Sequence, residues 1–483
     1  MASFTNIAVE LQLLIIEHLV PEHPSRLVAD LYGKNVFTYA SPLTDLLNLS
    51  QVNRHFRTIV VPYLFKNIAF HNSAKSGASV QCIAESTMAS HVQTLHYQPD
   101  ITKMLPYDDP VGQDTYGEER RLTAVAKPDQ LPHVVVDVLK NLATFKNLER
   151  LTVVFFIEYW LFRNLLDCKV FGQPLHVENH EDDDNEDAHG ASAEKLEAWR
   201  VLMNRSYIAI AQNAAGAVKH LELQNVVPKR VSAWLDPTWH AFLGSLETFT
   251  ISLCQGADSG EYHISTYEAH PRFARNLANY FFEHLQNVTR FEFKTNFGSA
   301  LGCGGQFPHA QFPLHRQHMP RLKHIELHYI FVSEQLHNAL CTRNTLETVH
   351  LVDCLALGTV LEDPEDEETV GGITWADFLD SVRKSGMSNL RELIVKADDI
   401  FSALYDSWDP PSMSFEELGR YAFLYGVLWS RFGFIDLDEE AIQRRFEEGE
   451  DQTAWDELQK VVGDNARTAE KTQSPRPRQL HLK

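Results

Sequence analysis

Residues 321–328 read RLKHIELH, and this stretch decides the fold. Leu322, Ile325 and Leu327 are apolar, separated by two variable residues and then by one. The last two alternate with the polar Glu326, as a strand with one buried face requires, and the first turns the chain into that strand. The spacing recurs at Val92-Leu95-Tyr97, Leu148-Leu151-Val153, Val218-Leu221-Leu223, Leu246-Phe249-Ile251, Val288-Phe291-Phe293, Leu346-Val349-Leu351 and Leu390-Leu393-Val395. One match is a weak signal; eight in series predict parallel strands joined through helices. Thr374 and Asp377 form a capping-box pattern ahead of Phe378, Leu379 and Val382, and Gly386 stops that helix before the strand at Leu393. Residues 273–286 and 333–341 read as helices in the same way.

This pattern resembles the LxxLxL core of leucine-rich repeats, with Asn225 and Cys354 close to the family's Asn/Cys position. The resemblance implies an α/β architecture: an irregular leucine-rich-repeat-like solenoid over 90–400. An open doubly wound α/β domain is the alternative. Seven carboxylates in 176–190 and six in 362–370 predict solvated acidic loops. Asp182, Asp184 and Glu186 mimic the start of an EF-hand loop, but the glycine and terminal glutamate of that loop are missing, which excludes calcium there. Ser414 and Glu417 form another capping-box pattern, opening a helix through Phe423, Leu424, Val427, Leu428 and Trp429. With a second helix over 438–462, residues 412–464 read as a helical C-terminal cap, and 465–483 as a disordered basic tail.

The N-terminal residues 1–70 carry a different signal. Leu11, Leu14, Ile15 and Leu19 share one helical face; Ser41 and Pro42 open a second helix through Leu46 and Leu49; Val52, Phe56, Ile59 and Val60 line a third that Pro62 should end. So small a bundle has more apolar surface than it can bury alone. Residues 45–57, DLLNLSQVNRHFR, resemble the F-box motif, and residues 7–11, IAVEL, stand where that family has Leu-Pro-x-Glu-Leu/Ile. Ala8 replaces the proline, and an insert of about twenty residues, roughly 20–42, separates the halves. The tail VVPYLFKN at 60–67 is also similar to F-box proteins of fungi. The resemblance implies an F-box helical bundle, docking on the Skp-type adaptor of a Skp–cullin–F-box ubiquitin ligase through Ile7, Leu11, Leu14, Leu46, Leu49, Val52 and Phe56.

The whole chain, 483 residues with a net charge of −22, is too acidic for general nucleic-acid binding. Its most apolar window, 151–166, is broken by Glu158 and Arg163, so no membrane partner is expected. There is no secretory leader pattern, and the six cysteines are scattered without a CxxC pair. Both features argue for a reducing compartment, cytoplasmic or nuclear. No nucleophile elbow, HExxH, P-loop or dinucleotide fingerprint occurs. No cofactor, catalytic residue or metal site is predicted; Gly302 to Gly305 with His309, His315 and His318 is the one cluster that raises the question. Cys341 and Cys354 read as small buried residues. The expected function is a non-catalytic substrate receptor that holds an unidentified target protein near a ubiquitin-loaded enzyme. A repeat scaffold unrelated to ubiquitin is the alternative.

The target site follows from strand alternation. Residues flanking each buried pair must point to the opposite face, which places His220, Glu222, Arg290, Glu292, Lys294, His324 and Glu326 there as target-binding residues. His328, His350 and Glu392 share that face.

Overall fold

The computed structural model describes residues 8, 11–14, 16, 42–101, 131–156, 194–195, 197–254, 266–267, 269–295, 301–302, 310–361, 369–370, 372–397, 422–429 and 433–473. The chain divides into two compact units, Met1–Val170 with Glu181–Leu246, and Phe171–His180 with Glu247–Lys483.

In the first unit residues 11–14 are helical. Helices α1 (Pro42–Val52) and α2 (Arg54–Leu64) follow, and the Asn53 side chain caps α2 by accepting from Phe56 N. Ile16, Leu46 and Val60 are buried together, with Leu49, Ile59, Tyr63 and Leu64 around them. The chain continues through β1 (Asn67–Phe70), α3 (Ala74–Ala84), β2 (Thr94–Tyr97), α4 (His133–Lys140), β3 (Arg150–Val154), α5 (Ala198–Ala211), β4 (His220–Val226) and α6 (Pro237–Gly244). The strands pair in parallel and in chain order, with Asn67, Thr94, Arg150 and His220 in register. Leu95, Tyr97, Leu151, Val153, Leu221 and Leu223 are buried. Over the core stands Tyr207 of α5, its ring 5.2 Å from Trp239, 5.6 Å from Trp234 and 5.7 Å from Phe155. Aromatic burial of this size dominates such a core.

The second unit begins with β5 (Thr248–Leu253), α7 (Ala269–Tyr280), β6 (Arg290–Lys294), β7 (His324–His328), α8 (Glu334–Cys341) and β8 (Thr348–Val352). It continues with β9 (Leu355–Leu361), β10 (Thr369–Val370), α9 (Trp375–Lys384) and β11 (Glu392–Lys396). The last elements are β12 (Leu424–Trp429), β13 (Phe434–Leu437), α10 (Glu439–Glu448) and α11 (Glu450–Gln473). Strands β5, β6, β7, β8 and β11 are parallel neighbours in that order. Phe249 and Phe291 stack 6.2 Å apart on their buried face, with Phe282 edge-on to Phe291 at 5.3 Å. A second sheet runs β10-β9-β12-β13, antiparallel at both ends and parallel in the middle. Trp375 is fully buried and donates through Nε1 to Leu424 O at 2.9 Å.

The architecture corrects the expected one. The protein is α/β: strands β1 to β4 pair in parallel in the first unit, and the second unit holds the parallel set β5, β6, β7, β8 and β11 together with a four-stranded mixed sheet. It is not an F-box helical bundle followed by a leucine-rich-repeat solenoid with a helical cap. No fixed unit repeats: His324 and Thr348 begin neighbouring strands 24 residues apart, whereas Arg150 and His220 begin neighbouring strands 70 apart. Pro62 does not end the third helical segment: α2 runs past it to Leu64 and leads into the first strand. The doubly wound alternative fails too, because in neither unit does the parallel strand order reverse to create a switch point.

Other expectations are corrected locally. Leu424, Val427, Leu428 and Trp429 lie on β12, not on a helix. Residues 465–473 belong to α11, not to a tail. Thr369 and Val370, assigned to the second acidic loop, pair with β9. The loop at 176–190 and residues 474–483 lie outside the described residues.

Candidate functional site

In the second unit the polar face of the parallel sheet is built by register. Arg290, His324 and Thr348 stand side by side, then Glu292, Glu326 and His350, then Lys294, His328 and Val352. The alternating Phe291, Phe293, Ile325 and Leu327 are buried on the other side. Register therefore sets Glu292 beside Glu326, a pairing of like charges that is unfavourable unless cations surround it.

Four cationic or ionisable groups do so. Lys294 Nζ is 2.8 Å from Glu292 Oε1, Arg290 Nη2 is 3.8 Å from Glu326 Oε2, and His350 Nδ1 is 3.7 Å from the same oxygen. His328 Nε2 is 3.0 Å from Glu326 Oε1 and 4.0 Å from Glu292 Oε1. The His328 hydrogen bond, with Lys294 and His350 nearby, outweighs partial burial and holds the Glu326 carboxyl down at about 2. His350 Nε2 also reaches Glu392 Oε1 at 3.1 Å. Burial is the main cause that lowers the affinity of His324 for a proton. The result is a compact, mixed-charge patch with partly covered side chains, suited to polar or charged side chains of another protein.

Of the predicted target residues, the structure brings Arg290, Glu292, Lys294, His324 and Glu326 together in this unit. His220 and Glu222 belong to the polar face of the first unit. There Glu222 Oε2 is 3.7 Å from Arg150 Nη1 and accepts from Thr152 Oγ1 at 3.1 Å, while Gln224 Nε2 donates to Glu222 Oε1 at 2.6 Å.

The predicted adaptor residues separate by exposure. Leu11 and Leu14 are 52% exposed and Val52 is 65% exposed, whereas Leu46 is fully buried and Phe56 nearly so. Leu49 packs against the small core. Leu46 and Phe56 are therefore core residues, not surface contacts, and Ile7 lies outside the described residues. Leu47, 48% exposed, is the apolar surface residue that motif matching passed over. Helical geometry could have found it, because Leu46 and Leu47 point about 100° apart.

The glycine–histidine cluster resolves into packing where it is described. Gly302 has φ +102, and a Cβ there would lie 2.7 Å from Phe331 O, so the backbone demands glycine. His318 is buried; its Nδ1 accepts from His315 N at 3.1 Å, and Arg343 Nη1 donates to the carbonyls of His318 and Met319. That arrangement ties the strand-entry loop to α8. Cys303 and His309 lie outside the described residues. The Cys354 thiol is buried and pushed up to about 12, so it is protonated and unreactive; Cys341 is half-buried.

No protein-family model and no curated protein sequence matches this chain. Among the described residues no helix is long and apolar enough to cross a membrane.

Proposed function

We propose that this chain is a non-catalytic substrate receptor of a Skp–cullin–F-box type ubiquitin ligase. The N-terminal helices dock on the Skp-type adaptor, and the polar sheet face around Glu326 receives a target protein. The observation that carries the reading is the set of large apolar side chains left in water on those helices: Leu11, Leu14, Leu47 and Val52. They lie in and beside the segment 45–57 that resembles the F-box motif. Exposed apolar surface of this kind is commonly an interaction site. A target held on the sheet face gains effective concentration near the conjugating enzyme, so the chain itself needs no reactive group.

Affinity purification from cells with mass spectrometry tests the proposal. Wild-type protein should retain a Skp-type adaptor and a cullin, and the double variant Leu47→Glu, Val52→Glu should lose both while keeping other partners. Partners without adaptor or cullin in the wild-type sample would favour an interaction scaffold with no tie to ubiquitin.

A further inference from the structure

Three side chains on two adjacent strands of the second unit converge with ligand-type atoms. One carboxylate oxygen each from Glu292 and Glu326 and one ring nitrogen of His328 lie within 4.8 Å of one another. His328 Nε2 stands 3.0 Å from Glu326 Oε1 and 4.0 Å from Glu292 Oε1. A metal bonded to three such atoms at about 2.0–2.1 Å would hold them roughly 3.3 Å apart. The observed spacings straddle that value. To close the set the Glu292 carboxylate would have to move towards His328, now 4.0 Å away, on a strand held in register with β7. A cation between the two carboxylates would also remove the cost of placing like charges on neighbouring strands.

The donor set selects the ion. Two carboxylates with one imidazole suit Zn²⁺ and related transition ions; calcium and magnesium take oxygen ligands alone in most sites. His350 Nδ1, 3.7 Å from Glu326 Oε2, stands behind that carboxylate, where an outer partner orients a ligand. Two cations oppose the ion: Lys294 Nζ, 2.8 Å from Glu292 Oε1, neutralises one carboxylate that the metal needs, and Arg290 Nη2 stands farther off, 3.8 Å from Glu326 Oε2.

We propose that Glu292, Glu326 and His328 form a site for a divalent transition-metal ion, Zn²⁺ foremost, with Lys294 as the built-in competitor that weakens it. Three protein ligands leave a fourth position to water or to a side chain of a bound protein.

Cobalt(II) is the probe, because its visible absorption reports coordination and zinc displaces it. The full chain carries 23 histidines, so the signal is read as a difference between variants. Glu326→Gln and His328→Gln should each weaken the saturable cobalt signal about tenfold or more. Glu347→Gln, a carboxylate on β8's approach paired with Lys323 at 2.9 Å, should leave it unchanged. Lys294→Gln should tighten binding, a gain that misfolding cannot imitate. A wild-type signal that neither ligand variant reduces, or no saturable signal at all, overturns the site. So does a Lys294→Gln variant that binds no more tightly than wild type.

Discussion

Asp451 is a carboxylate that the fold cannot lose cheaply. It is 3% exposed and accepts from Tyr425 OH at 2.9 Å and from Ala376 N, in the first turn of α9, at 2.8 Å. Tyr425 OH in turn accepts from Trp375 N at 3.2 Å. Asp451→Ala strands buried donors, which costs about 1–3 kcal/mol each when unpaired. Urea denaturation should show a loss of about 2 kcal/mol or more, and an unchanged midpoint would contradict this network. Two histidines predict a pH response. Burial is the larger cause that lowers His96 to about 4, helped by Arg150, and the same holds for His318, helped by His315 and Arg343. Glu283 Oε1, 3.9 Å from His318 Nε2, does not offset it. Both rings are neutral in the fold, whereas in the unfolded chain they take up protons below about 6.5. Their contribution is full above about pH 6.5 and is lost as pH falls towards about 4. The melting temperature should therefore drop across that window, and less steeply in His318→Asn; equal slopes would show that His318 does not titrate this way.

The elements were legible where spacing was unambiguous. All eight apolar motifs read from the sequence end in strands, β2 to β8 and β11, and the Thr374–Asp377 capping box opens α9 as read, with Thr374 Oγ1 2.7 Å from Asp377 Oδ2. Strand β1 escaped because Asn67–Phe70 is four residues long and directly follows a helix. Strand β12 reads as a helix in the sequence because LYGVLW is a short, largely apolar run, which periodicity cannot assign. In α1 the motif match fixes the helix but not its buried face: it counts the buried Leu46 as surface and omits the exposed Leu47. The distinction is measurable: Leu46→Ala should cost about 2–5 kcal/mol as a buried truncation, whereas Leu47→Glu should change stability by about 0.5 kcal/mol or less. Similar unfolding midpoints for the two would contradict the placement of these helices.

At the scale of the molecule, strand alternation identified the polar faces, because it needs only a period of two. It could not reveal the Glu292, Glu326 and His328 cluster, whose members meet only when β6 and β7 pair in register across 34 residues of sequence. Nor could it give the architecture, since a family resemblance carried by eight short strands says nothing about connections of unequal length or about the second sheet formed by β9, β10, β12 and β13. The polar face of the second unit should be the target surface: Arg290→Glu with Lys294→Glu should leave the melting temperature within a few degrees and release co-purifying target. Full retention of target would move the site elsewhere. The receptor reading itself rests on the exposed leucines of the N-terminal helices. Its most direct test is a calorimetric titration of the purified chain with a purified Skp-type adaptor. The account predicts a saturable one-to-one complex that Leu47→Glu with Val52→Glu abolishes without unfolding the chain; no binding by the wild type, or equal binding by the variant, would contradict it.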